Sequence, residues 1–178
     1  MASGKKGDLF IGTSAFILVN VDRDENQPID FYQINLGYYL SDKDTLTIEL
    51  ITWKYYHPLG EGMFPSKEKE YPGYVKGLGP GLAYQRFLWG GMYMAFHGLW
   101  LKQEYFSSEN VQLGTGEQLF LMLRAGYHFK LGNSFFIEPS ATLTSWPINT
   151  GLPQSFQEKE KDSPKYTIEP GLNFGFLF

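Results

Sequence analysis

Apolar and polar side chains alternate with a period of two along most of this chain, and about eight segments carry the alternation: 8–20, 29–40, 45–57, 74–89, 92–106, 117–131, 134–147 and 165–178. That period builds strands with one apolar and one polar face, where a helix repeats every 3.6 residues. Each segment is long enough to cross a bilayer as a tilted strand of roughly 9–11 residues. The connections alternate too. Short ones stand at Ser41-Asp42-Lys43-Asp44, Gly90-Gly91 and Gly132-Asn133, and long ones around 21–28, 58–73, 107–116 and 148–164. The long ones carry polar runs, Asp22-Arg23-Asp24-Glu25-Asn26-Gln27-Pro28, Ser66-Lys67-Glu68-Lys69-Glu70 and Gln157-Glu158-Lys159-Glu160-Lys161-Asp162, that read as solvated loops. The pattern predicts an all-β, eight-stranded antiparallel up-and-down transmembrane β-barrel, with short periplasmic turns and long extracellular loops. Residues 8–178 form the barrel and 1–7 an N-terminal tail or cloning start.

Because side chains alternate, fixing one residue's side fixes the strand. In the last segment Tyr166, Ile168, Leu172, Phe174, Phe176 and Phe178 take the lipid side, leaving Thr167, Glu169, Gly171, Asn173 and Gly175 inside. In the sixth, Leu119, Leu121, Leu123, Ala125, Tyr127 and Phe129 face lipid, and Phe120, Met122, Arg124, Gly126, His128 and Lys130 face in. The third puts Leu46, Ile48 and Leu50 outside and Thr47, Glu49 and Trp53 inside. The seventh puts Ile137, Ala141 and Leu143 outside and Glu138, Ser140 and Thr142 inside. A hairpin near Asn133 sets His128 across from Glu138 and Arg124 opposite Thr142, with Arg124 reaching toward Glu169. The expected lumen network is therefore Glu49, His97, Arg124, His128, Glu138 and Glu169, with His97 joining from the fifth segment because an exposed histidine near mid-bilayer is costly. An eight-stranded barrel is only wide enough for side chains to fill, and unpaired burial costs several kcal/mol per ion, so a polar plug is expected. The face of the fourth segment turns on whether Gly90-Gly91 makes a two- or a three-residue turn.

Aromatics gather near segment ends: Trp53, Tyr55, Tyr56, Trp100, Tyr105, Phe106 and Trp146 by the long loops, and Phe87, Trp89, Phe135, Phe136, Phe176 and Phe178 by the short turns. Two girdles at the lipid interfaces account for them. Pro80, Pro139 and Pro170 interrupt predicted strands and mark bulges.

Composition narrows the class. A chain of 178 residues with 17% aromatics, 15 Phe, 12 Tyr and 20 Gly favours strands and turns in one domain. The mean hydropathy of -0.27 looks soluble, but in a membrane barrel only alternate residues meet lipid. A net charge of -4 with interspersed signs gives no basic stripe for nucleic acid. The absence of Cys fits an oxidising compartment weakly. The start, Met1-Ala2-Ser3-Gly4-Lys5-Lys6-Gly7, lacks the apolar core of a signal peptide, whose removal is the favoured reading. No phosphate loop, metal-ligand cluster or nucleophile elbow occurs, and no cofactor is expected. His128, Glu138 and Ser140 have the residue types of a hydrolytic triad but sit in a packed interior, so His128 reads as structural.

The chain ends on Glu169-Pro170-Gly171-Leu172-Asn173-Phe174-Gly175-Phe176-Leu177-Phe178. Gly171, Phe174, Phe176 and the terminal Phe178 resemble the signal by which the barrel-insertion machinery of Gram-negative bacteria recognises its clients. With the strand count and loop asymmetry, the whole chain resembles the small eight-stranded barrels typified by the OmpA transmembrane domain, OmpX and OmpW. The resemblance implies a monomer in the bacterial outer membrane, in contact with the bilayer and lipopolysaccharide, with a role in envelope integrity, surface adhesion or passage of small apolar molecules. Fold alone does not choose among these. Three functions follow as expectations: a plugged structural or surface-interaction barrel, a ligand-conducting or ligand-binding barrel, and a lipid-modifying enzyme. The third is unsupported by local motifs, since His57 and Ser145, at the matching height, lie on different strands. A soluble lipocalin is disfavoured because Phe10-Ile11-Gly12-Thr13-Ser14 lacks its Gly-x-Trp and because the charges here turn inward.

Overall fold

The computed structural model describes residues 4–20, 27–61 and 67–178. Strands β1 (Leu9–Ser14), β2 (Tyr32–Tyr39), β3 (Asp44–Tyr55), β4 (Gly73–Phe87), β5 (Met92–Ser107), β6 (Gln112–Tyr127), β7 (Phe129–Leu131), β8 (Phe135–Asn149) and β9 (Tyr166–Leu177) follow one another antiparallel, with a helix α1 (Gln154–Glu160) before the last. β6 and β7 are one staff interrupted at His128, because both pair with β8. The wall is thus an up-and-down ring of eight strands, closed where Phe10↔Leu177 through Ser14↔Asn173 join β1 to β9. The chain ends meet at the short-turn rim, where Leu9 and Phe178 exchange backbone hydrogen bonds of 3.0 and 2.9 Å. Gly4 lies buried against the Tyr39 ring at that rim.

The burial order is inverted relative to a soluble barrel. Outward positions are apolar and exposed, among them Ile48 (60%), Leu82 (59%) and Ile168 (72%), while Glu49, His97 and Gln103 are buried inside. The turn after β4 spans Trp89–Gly91, Leu88 bonding to Met92, with Gly90 and Gly91 at φ 58° and 100°. That three-residue turn sets Gly77, Gly79, Gly81 and Ala83 of β4 inward. Small residues there make room for large neighbours: a Cβ on Gly81 would stand 2.6 Å from Leu99 Cγ, and one on Gly77 3.0 Å from Trp53 Nε1.

Three boundaries depart from the sequence expectation. The first strand stops at Ser14 instead of reaching residue 20, and Ala15–Asn20 is a 3-10 helix. Ser14 Oγ accepts the Phe16 N–H at 3.2 Å, which starts the turn, and Asn20 bonds both the N–H and the C=O of Phe31, standing in for a strand. The long connection expected at 107–116 is a tight turn, because β5 and β6 each run for 16 residues and extend past the loops beside them. The sixth segment reaches residue 131 but is broken at His128, where the ladder to β8 lapses between Gly126↔Ser140 and Phe129↔Ile137. Loop residues 22–26 and 66 of the predicted polar runs lie outside the described residues.

Six of the thirteen expected girdle aromatics face the other way. Tyr55, Tyr105, Trp146, Phe87 and Phe136 are buried and Trp53 is partly buried, all filling the lumen, because each shares parity with an inward polar residue of its own strand. Outward aromatics include Tyr38, Tyr84, Trp89, Tyr127, Phe129, Phe176 and Phe178 near the short turns, Phe96 between the rims, and Tyr32, Trp100 and Tyr166 toward the long loops.

Candidate functional site

The lumen is layered. At the short-turn end Tyr39, Phe87, Tyr93 and Leu177 pack with Phe10. Above them a polar waist surrounds a small cavity of about 30 Å³. Next comes an apolar layer of Phe31, Ile51, Leu99, Leu101, Phe120 and Trp146. A second polar rung follows, and Tyr55, Tyr71, Val75, Tyr105 and Phe156 close the top.

In the waist the six residues of the expected network separate. His97 Nδ1 lies 3.0 Å from Glu49 Oε1, a pair 4% and 1% exposed on β5 and β3. His128 Nδ1 lies 2.7 Å from Glu138 Oε1, which also accepts a bond of 3.1 Å from Gln85 Nε2. Phe87 and Phe136 rings flank His128 at 5.5 and 4.9 Å, and no hydrogen bond joins it to Ser140 among the described residues. Arg124 lines the same cavity as Glu49, His97 and Glu138 and donates from Nε to Thr142 Oγ1 at 3.4 Å.

Arg124 and Glu169 do not form the expected contact. The register places Thr142 between them, opposite Arg124 on one side and Glu169 on the other. β1 ends opposite Asn173, so no strand covers β9 beside Glu169, and its side chain is exposed rather than enclosed. Of the terminal residues, Phe176 and Phe178 point outward at 53% and 69% exposure, Phe174 is half-buried, and Gly171 stands with its α-carbon toward Ser140. Among the described residues His57 bonds only to the Pro58 carbonyl, at 3.2 Å, and Ser145 pairs with Tyr166 on the opposite side of the long-loop rim.

Two groups escaped the sequence reading. Gln103 donates from Nε2 to Tyr55 Oη at 2.6 Å and to Gln118 Oε1 at 2.8 Å, while Tyr105 Oη lies 2.7 Å from Gln103 Oε1. Parity holds the signal, since Gln103 is six residues from His97 and Gln118 six from Arg124. The other is the cap. α1 drops Phe156, fully buried, between Tyr71 at 4.7 Å and Tyr105 at 5.8 Å. Tyr71 Oη donates to Glu160 Oε1, and Lys69 Nζ reaches the Lys161 carbonyl at 2.9 Å and Ser163 Oγ at 3.3 Å. Burial raises the Glu160 carboxyl above its ordinary range, against the pull of the Tyr71 hydrogen bond and Lys165, and burial also raises Tyr71. No group of metal-ligating side chains occurs among the described residues.

A structural likeness accompanies this geometry. The N-terminal β-barrel domain of Pseudomonas aeruginosa OprF superposes with a TM-score of 0.51 at 14% identity, over 98% of this chain and 100% of that one. The two share a fold. No protein-family model matches the chain, and none of the curated proteins matches it in sequence. At this identity the likeness to the OprF barrel concerns architecture, and the waist and cap are argued from this chain's own residues.

Proposed function

We propose that this chain is a bacterial outer-membrane barrel with a side-chain-plugged lumen, acting structurally or in surface interaction through its long-loop rim. One observation carries the reading: the apolar residues point out and stay exposed, while the carboxylates and histidines of the waist point in and pair. Such a surface is stable against acyl chains and unstable against water. The fold shared with the OprF barrel supports the same environment. The short turns then face the periplasm and α1 with its cap faces outward. Gly171, Phe174, Phe176 and Phe178 serve as the insertion signal, and lipopolysaccharide and the bilayer are the standing partners of a monomer. The plug is supported by the two aromatic layers and the cap stacked around a waist cavity of about 30 Å³.

Planar-bilayer recording tests the plug. The folded protein is expected to give no steady single-channel current, and Trp146→Ala with Phe120→Ala, which thins the middle layer, to raise leak events. A stable open channel in the unaltered protein overturns the plug and favours the conducting barrel.

A further inference from the structure

The seam that closes the ring is bonded along only part of its length. β1 meets β9 from Phe10↔Leu177 to Ser14↔Asn173, and beyond Asn173 the stretch 166–172 of β9, about 20 Å of strand, has no partner strand on that side. The 3-10 helix Ala15–Asn20 crosses the gap without replacing the ladder. Its six residues rise about 12 Å at roughly 2 Å each, and no backbone hydrogen bond joins it to Ile168 or Pro170. Ile17 and Val19 pack on the apolar layer, while Phe16 and Leu18 stay exposed. A breach therefore opens in the long-loop half of the wall, bordered by Ile168 and Leu172, 72% and 44% exposed.

What the breach presents is negative. Leu177 and Lys165 bond toward β8 and Phe178 toward β1, so alternation aims the backbone of Ile168 and Pro170 into the gap. Beside the α-carbon of Glu169 a strand edge would offer the C=O of residue 168 and the N–H of residue 170, but Pro170 has no N–H. The Ile168 carbonyl accepts no hydrogen bond among the described residues. Glu169 shares the inward parity of Asn173, is exposed at the same edge, and makes no hydrogen bond or ion pair among the described residues. The neighbouring cations are committed elsewhere: Arg124 to Thr142 and the waist cavity, Lys54 to Asp30 at 2.6 Å, and Lys165 to the field of Glu160. A carboxylate without a counter-charge, next to an acceptor and a missing donor, calls for a cation that donates N–H bonds. The exposed apolar residues around it call for an acyl-like body on that cation.

We infer that this breach is a binding site for a primary alkylammonium amphiphile of the leaflet on the long-loop side, its ammonium held by Glu169 and the Ile168 carbonyl and its chain laid along Leu172 and Leu18. The inference rests on the membrane reading proposed above and adds a site and a ligand chemistry to it.

Native mass spectrometry of the whole chain in a neutral detergent at neutral pH tests it. Dodecylamine is the probe, dodecanol the uncharged control, and dodecyltrimethylammonium the control that has the charge but no N–H. The unaltered protein is expected to retain dodecylamine above both controls. E169Q is expected to lose at least about tenfold in dodecylamine retention, the weight of a hydrogen bond between charged groups, and to treat dodecylamine and dodecanol alike. E169D, which keeps the charge, is expected to keep the preference over dodecanol. L172W, which fills the apolar side and leaves the carboxylate, is expected to weaken amine and alcohol together. Folding of each variant is checked by its heat-dependent shift on a denaturing gel. Equal retention of dodecylamine and either control by the unaltered protein, or unchanged retention in E169Q, overturns the site while leaving the membrane reading in place. A chain that is monodisperse in buffer without detergent overturns the membrane reading and the site with it.

Discussion

Ile48 and Glu49 are neighbours in sequence and opposites in environment, one 60% exposed on the outer wall and the other 1% exposed beside His97. In water, replacing an exposed Ile by Arg changes stability by about 0.5 kcal/mol or less. Against acyl chains the same change near the midplane costs roughly 2–4 kcal/mol. Ile48→Arg is therefore expected to lower the unfolding free energy in lipid vesicles by that larger amount, read from urea titrations. The waist residue answers differently. Glu49→Ala strands His97 in a layer with no other partner for its Nδ1 and is expected to cost about 3 kcal/mol or more, whereas the double variant Glu49→Ala/His97→Ala recovers part of it, since removing both members of a buried pair leaves nothing unpaired. A double-mutant cycle with no coupling counts against a paired waist.

At the scale of elements, prolines sit where the ladders already fail. Pro80 occupies the skipped pairs of β4–β5, Pro139 lies opposite the break at His128, and Pro147 falls in the irregular stretch between Leu119↔Ile148 and Leu121↔Ser145. Pro170 lies above the end of β1, where β9 has no second partner. Each missing N–H thus falls where no hydrogen bond is due. The helix α1 is the other element with a measurable signature. Its Glu160 is half-buried and has its pKa raised above the ordinary 4.5, with burial the largest cause and Tyr71, Lys165, Glu61 and Lys69 around it. A carboxyl raised in the folded state favours docking while protonated. The cap is fully stabilised below the unfolded value and loosens as pH rises through the folded one. Hydrogen exchange of 154–160 is expected to be slower at about pH 4 than at about pH 7 after correction for intrinsic rates. Glu160→Gln is expected to remove that difference. Phe156→Ala should undock the helix at both pH values, at a cost of about 3 kcal/mol.

At the scale of the molecule, the interior repeats a theme of aromatic layer and polar rung up to the cap. The barrel's eight strands leave a bore that ring side chains close, and the small residues of β4 accept the bulk of Trp53 and Leu99 from its two neighbours. In the plugged barrel proposed above, closure by side chains rather than by an inserted domain makes the plug a property of packing, which is why truncating Trp146 and Phe120 is the manipulation expected to open it.

The period of two and the inward faces of the third, sixth, seventh and last segments were settled by the chain alone, because covalent geometry sends successive strand side chains to opposite faces and charges choose the inner one. Glu49, Arg124, His128 and Glu138 were legible on that ground. What parity leaves open is height, partner and extent. An aromatic ring is equally stable against lipid or inside a bore, so the placement of Trp146 or Tyr55 had to come from the strand's polar residue and the packing across the lumen. The early end of β1, the long β5–β6 hairpin and the separation of Arg124 from Glu169 came from ring closure, since a strand continues only as far as its neighbour offers hydrogen bonds. Local alternation wrote the wall; contacts between residues far apart in the chain decided what fills it.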